Sequence, residues 1–205
     1  MSAAPFPHGG GARSAALANP ELNKYRSGSA LVRRVVDPFV NAVAQSVVAL
    51  SPASVLDVGC GEGHVTSAIA RACPNARVMG VDLDAARIGG IETGRGSILA
   101  LPLRKASVDV VCATEVLEHL DEPASALAEL RRVARHGCIV TVPHEPYWRM
   151  ANLARLTYVR HLGNTPGHVQ HWGARSFRRL LSDHFQDVSV RPVSLWLLGV
   201  CRLGP

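Results

Sequence analysis

Three glycines in five residues, Gly59-Cys60-Gly61-Glu62-Gly63, stand directly behind the short run Val55-Leu56-Asp57-Val58. No other feature constrains the fold as strongly. Glycine takes positive φ angles without steric cost and lets the backbone come close to a ligand. A buried strand that ends in such a turn and then opens a helix is a corner of an open α/β sheet, and ligands of such sheets sit beyond the carboxyl ends of the strands. The rest of the chain fits that frame. Apolar runs at 54–58, 77–81, 97–99, 108–113 and 138–142 read as strands. Helical spacing occupies 30–50, 65–73, 84–91 and 123–134 between or before them, with Pro123 in a first turn where proline is tolerated.

Alternation of this kind, with continuous apolar strands, signals a mostly parallel sheet covered by helices on both faces. The expectation is a Rossmann-like, doubly wound, seven-stranded α/β fold. Its last third differs. Residues 148–161 look helical, a Gly/Asn/Pro-rich loop follows at 163–167, and 175–181 is helical again. Two strands, 188–193 and 195–201, close the chain as a hairpin or as sequential strands. This makes 143–172 a helical lid insert on the acceptor side.

At 205 residues the chain suits one domain, expected over 21–205. Residues 1–20 are rich in Ala, Gly, Pro and Ser and read as a flexible tail. No run approaches the roughly 18 apolar residues of a membrane span. The five cysteines are odd in number and lack CxxC spacing, which points to reduced thiols and a cytoplasmic setting. The net charge of +6 favours an anionic partner. Its basic pairs, such as Arg33-Arg34 and Arg178-Arg179, are scattered, so nucleic acid is the less favoured partner.

Nineteen residues beyond Gly63, at the end of the second strand, stands Asp82. A carboxylate there can accept hydrogen bonds from both hydroxyls of a ribose. A dinucleotide would call for GxGxxG, with a helix N-terminus open to pyrophosphate. This chain has GxGxG, with His64 where the third small residue would fall, and Asp57 adds negative charge. Both features suit a cationic amino-acid ligand better than a pyrophosphate.

The segments Leu56-Asp-Val-Gly-Cys-Gly-Glu-Gly63, Val81-Asp-Leu-Asp84, Leu99 to Val111 and Val116-Leu-Glu-His-Leu120 closely resemble the class I S-adenosylmethionine-dependent methyltransferases, in particular a quinone-methyltransferase-like branch. The resemblance is good over about residues 50–142 and looser elsewhere. It implies a transferase that binds S-adenosylmethionine. Asp57, Gly59, Cys60, Gly61 and Gly63 would border the methionine part, Asp82 would take the ribose and Leu83 would pack on the adenine. Ser97 and Ile98 would flank the adenine, with Ser97 where family members often carry Asp. Ala113 and Glu115 would complete the wall.

Directly after the fourth strand come Glu115, Glu118 and His119. On a helix this spacing places all three on one face. Two carboxylates and an imidazole there can hold a divalent metal, or Glu118 can orient His119 as a general base. ExxEH resembles two metal-binding branches, the quinone-precursor O-methyltransferases and the small-RNA 3′-terminal 2′-O-methyltransferases. The second implies a further ligand, here His168, with His171 as the fallback. Mg, Mn, Fe and Zn are all open. Against this stands a plain structural role, with Glu118 capping a helix and His119 lining a pocket.

The insert is dense in groups suited to an acceptor: His144, Tyr147, Trp148, Arg149, Asn152, Arg155 and His171. Aromatic rings can stack on a substrate and guanidinium groups can pair with phosphate or carboxylate. The alternative is that Trp148 and Trp172 simply pin the insert to the core. Tyr25 and Arg26 are candidates to close over the cofactor. The expected activity is methyl transfer to oxygen of a small or lipid-linked metabolite. An RNA 2′-O-methyltransferase and a non-catalytic S-adenosylmethionine-binding module are the rivals.

Overall fold

The computed structural model describes residues 30–84, 88–154 and 161–204. The expected tail, Tyr25, Arg26 and Arg155 lie outside the described residues. Seven strands form one sheet: β1 (Ser54–Val58), β2 (Arg77–Asp82), β3 (Glu92–Arg95), β4 (Val108–Thr114), β5 (Ala134–Pro143), β6 (Asp187–Val193) and β7 (Trp196–Arg202). Their order across the sheet is β3-β2-β1-β4-β5-β7-β6. Pairing is parallel from β3 to β5, whereas β7 runs antiparallel to both β5 and β6. The closing strands are therefore a hairpin. Val193 pairs with Trp196 across a tight turn in which Ser194 takes a φ of 50°.

Period-two alternation builds two cores from these strands. Val55, Val110, Cys112, Ile139, Trp196 and Leu198 face one side, where α1 (Ala30–Val48) and α2 (His64–Ala72) cover them with Phe39, Val43, Val47 and Ile69. Leu56, Val58, Val111, Ala113, Val140 and Leu197 face the other. There α3 (Pro123–Val133) and α5 (Ala174–Ser182) supply Leu127, Leu130, Phe177 and Leu181. Each fully buried Val, Leu, Ile or Phe among them contributes about 1.5–3 kcal/mol. Among the described residues no helix is long and apolar enough to cross a membrane.

Two expectations need correction. Residues 88–91, expected at the end of a helix, form a turn closed by an antiparallel bridge between Ile88 and Ile91. The third strand is Glu92–Arg95, not 97–99, and Ser97 to Ala100 is a turn. An edge strand pairs on one side only and can be polar, so Glu-Thr-Gly-Arg offered no apolar run to read. Arg77 of β2 meets Glu92 at 2.6 Å across this edge.

At the amino-terminal edge of the sheet, Asp109 accepts the amides of Ala53 and Ser54 and is paired with Arg135. This ties β1, β4 and β5 together far from the glycine turn.

Candidate functional site

At the opposite edge, the turn after β1 places Gly59, Gly61 and Gly63 at φ angles of 75°, 49° and 82°. A Cβ on Gly59 would come within 2.4 Å of Val116, so a side chain there is excluded twice over, by contact and by backbone. The turn borders a cleft of about 540 Å³. Gly59, Cys60, Gly61, Gly63, Asp82, Leu83, Ser97, Ile98 and Glu115, all expected from the sequence to border a cofactor, line this cleft. Asp57 and Ala113 do not. They are buried in β1 and β4 behind the wall, with exposures of 1% and 0%.

Asp82 is fixed by backbone amides. Its two oxygens accept the amides of Gly61 and Asp84 at 2.9 and 3.1 Å, which orients the carboxylate at the mouth of the turn. Leu83 and Leu99 are 68% and 50% exposed at the same rim, a pair of apolar side chains able to flank a flat ring. The Ser97 hydroxyl accepts the amide of Leu99 at 3.2 Å and so shapes the turn itself. Asp57 accepts a 2.6 Å hydrogen bond from Thr66 at the start of α2. Burial pushes its carboxyl up to about 7, the Thr66 bond opposes this, and the charge of Asp82 adds to it.

The segment after β4 is not an α-helix. Glu115 takes a φ of 55°, and only a 3₁₀ turn follows at Leu117–His119. This splits the expected face. Glu115 turns to the sheet, where it accepts the indole N–H of Trp196 at 2.8 Å. Glu118 and His119 go the other way and meet His168 of the insert. One ligand atom from each of these three lies within 4.8 Å of the others. Glu118 and His168 are buried, at 1% and 5% exposure, while His119 is exposed to the cleft. The His119 ring donates Nδ1–H to the carbonyl of Gly167 at 3.0 Å, which leaves the neutral imidazole's lone pair on Nε2.

The insert is latched onto this motif. The amides of Val169 and Gln170 both bond the Glu118 carbonyl, at 2.9 and 3.2 Å. Helix α4 (Tyr147–Ala154) carries Trp148, whose N–H donates to Thr165 at 3.0 Å and whose rings pack on Trp196 and His168. Asn152 donates to the carbonyl of Gly163 at 2.9 Å. Trp148 and Asn152 are thus spent on holding the strap, and Trp172 packs on Phe177. For Trp148 and Trp172 these contacts fit the pinning alternative. His171 lies 2.7 Å from Asn164 rather than in the three-residue cluster. Tyr147 remains exposed beside His144, and Arg149 is partly buried. Partial burial lowers the His144 imidazole, and in His171 it is joined by the charges of Arg149 and His168.

A family model described as a methyltransferase domain matches residues 56–142. These residues form a methyltransferase domain. The ubiquinone biosynthesis O-methyltransferase of Hahella chejuensis is 42% identical over 101 residues, 43% of this chain and 42% of that protein. An uncharacterized methyltransferase of Mycobacteroides abscessus is 34% identical over 154 residues, 67% of this chain and 53% of that protein. Among solved structures, an O-methyltransferase family protein from Burkholderia thailandensis superposes with a TM-score of 0.66 at 17% identity, covering 82% of this chain and 56% of that one. The chain spans about a third to a half of the length of the curated relatives it matches. Glu62, His64, Leu99 and Val116 line the cleft, and the only signal for them was their place inside or beside the motifs already quoted.

Proposed function

We propose that this chain transfers the methyl group of S-adenosylmethionine to an oxygen of a small or lipid-linked metabolite, with a divalent cation beside the acceptor. The cleft suits the cofactor on three counts: a glycine turn that a side chain would obstruct, an oriented Asp82 and an apolar rim at Leu83 and Leu99. The cofactor would supply a methyl activated on a sulfonium centre. Asp82 would hold the ribose, and the glycine turn would carry the amino-acid part along its backbone.

The observation that carries the acceptor chemistry is the meeting of Glu118, His119 and His168, of which His119 lines the cleft. Ligand atoms bound about 2.0–2.2 Å from one ion stand within about 4.4 Å of each other, so small side-chain adjustments would close this set on a cation. Two imidazoles and one carboxylate suit Mn, Fe or Zn better than Mg, which prefers oxygen. With Glu115 committed to Trp196, three protein ligands leave positions open for an acceptor. A cation held there would polarise the acceptor oxygen and ease loss of its proton. The lid strap orients His119 through Gly167 and keeps the set together through Glu118.

Metal content of the purified chain tests this reading, compared with Glu118→Ala and His168→Ala. Near-stoichiometric metal lost in both variants supports it. Absence of metal after incubation with Mg, Mn, Fe or Zn removes the cation, and His119 then stands as the general base for the acceptor hydroxyl.

A further inference from the structure

An imidazole that binds a cation has two nitrogens to account for. One gives its lone pair to the ion, and the other carries a proton that needs an acceptor. For His119 that acceptor is the Gly167 carbonyl, at 3.0 Å. Histidine ligands ordinarily donate this second N–H to a carboxylate, a backbone carbonyl or water. The acceptor fixes the tautomer and makes the imidazole a better ligand.

A carboxylate stands beside His168 that neither the cofactor cleft nor the three-residue cluster uses. Glu145 lies two residues before α4, and its amide donates to the carbonyl of Trp172 at 3.0 Å. Three residues on, the Trp148 indole lies against the His168 ring, with centroids 6.3 Å apart and planes 26° from parallel. The Glu145 backbone is thus fixed next to His168. Both of its carboxylate oxygens are buried, and neither completes a hydrogen bond. Burial pushes its carboxyl up, against the opposing pull of the Arg149 guanidinium and amide and of the His168 imidazole. A buried carboxylate without a bonded partner is costly, and such a group calls for an explanation. Arg149, one helical turn on, is the rival partner. Among the described residues no ion pair joins the two, and Arg149 Nε is itself buried without a hydrogen bond.

We propose that Glu145 is the positioning residue of His168: when the cluster takes a cation, the Glu145 carboxylate accepts the His168 ring N–H that is turned away from the ion. The proposal rests on the reading of Glu118, His119 and His168 as a cation site.

Zinc affinity of the full chain, measured by competition with a chromophoric chelator, tests it together with NMR of the zinc-loaded protein. Glu145→Gln keeps the size and a weaker acceptor and should cost about tenfold, and Glu145→Ala about a hundredfold, as for loss of such a partner. Arg149→Gln should leave the affinity within about threefold. In the loaded wild type one His168 ring N–H should be protected from exchange, and Glu145→Ala should lose that signal. The His119 N–H, held by Gly167, should persist in both, which a general loosening of the insert would not allow. Unchanged zinc affinity in both Glu145 variants would overturn the role of Glu145. Equal losses in Glu145→Gln and Arg149→Gln would overturn it too, and leave Glu145 as the partner of Arg149. A wild type that binds no zinc, which such a site holds more tightly than Mn or Fe, would instead overturn the cation reading, and this role with it.

Discussion

The cofactor side and the acceptor insert reach the same cleft by different constructions. On the cofactor side, Gly59, Asp82 and Glu115 sit at the ends of β1, β2 and β4, and their positions follow from the register of a parallel sheet buried on both faces. The insert between β5 and α5 is not itself built of sheet strands and touches the sheet through Trp148 on Trp196. Its shape depends on a few buried groups, Trp148, Asn152, Thr165 and His168, and on backbone bonds from 167–170 to Glu118 and His119. Geometry inherited from a sheet is shared among many contacts. Geometry made by a handful of polar bonds is concentrated, and one substitution can undo it.

Trp148→Ala is the hardest blow to that distinction. Truncating a buried tryptophan costs about 3–5 kcal/mol. The strap over His168 should loosen, with faster proteolysis in 147–172 and loss of any bound metal. Affinity for S-adenosylmethionine should stay within about threefold, the effect expected of a site the insert does not build. Equal loss of cofactor binding in calorimetry would show that the two regions are one construction.

Asp57→Asn probes the sheet side through pH. The native carboxyl titrates near 7 against 3.8 for an ordinary aspartate, so the native state holds a proton that the unfolded chain has lost between those values. This contribution to stability falls as pH rises from about 4 to 7 and is flat above. The asparagine variant should lack that fall and be more stable above pH 7 by roughly 2–4 kcal/mol. Denaturant titrations at pH 5 and 8 measure it, and parallel curves for the two proteins would contradict it.

Asp82→Ala should weaken S-adenosylmethionine binding about 100-fold, the loss of two hydrogen bonds to a charged group. The metal content should not change, since Asp82 lies outside the three-residue cluster. Ser97→Ala should have the smallest effect, under about threefold on cofactor affinity, because its hydroxyl serves the local turn at Leu99. A tenfold loss in the same titration would return Ser97 to the adenine contacts.

Much of this was legible in the sequence. The strand preceding Gly59, the helix after Gly63, the strong Pro123–Val133 helix and the placing of Asp82 are local patterns of apolar period, turn chemistry and spacing, which one chain segment determines by itself. So is the closeness of Glu118 and His119. Tertiary structure alone decided three matters. It replaced the expected strand at 97–99 with the polar edge strand Glu92–Arg95, because pairing to β2 rather than apolarity forms an edge. It separated Glu115 from Glu118, because a positive φ and the Trp196 indole on β7 outweigh helical spacing. It brought His168 to His119 across 49 residues, through carbonyls and amides that every residue type carries. Backbone bonds leave no mark in side-chain sequence, so the contact of His168, which only a family resemblance had singled out, came from the folded chain.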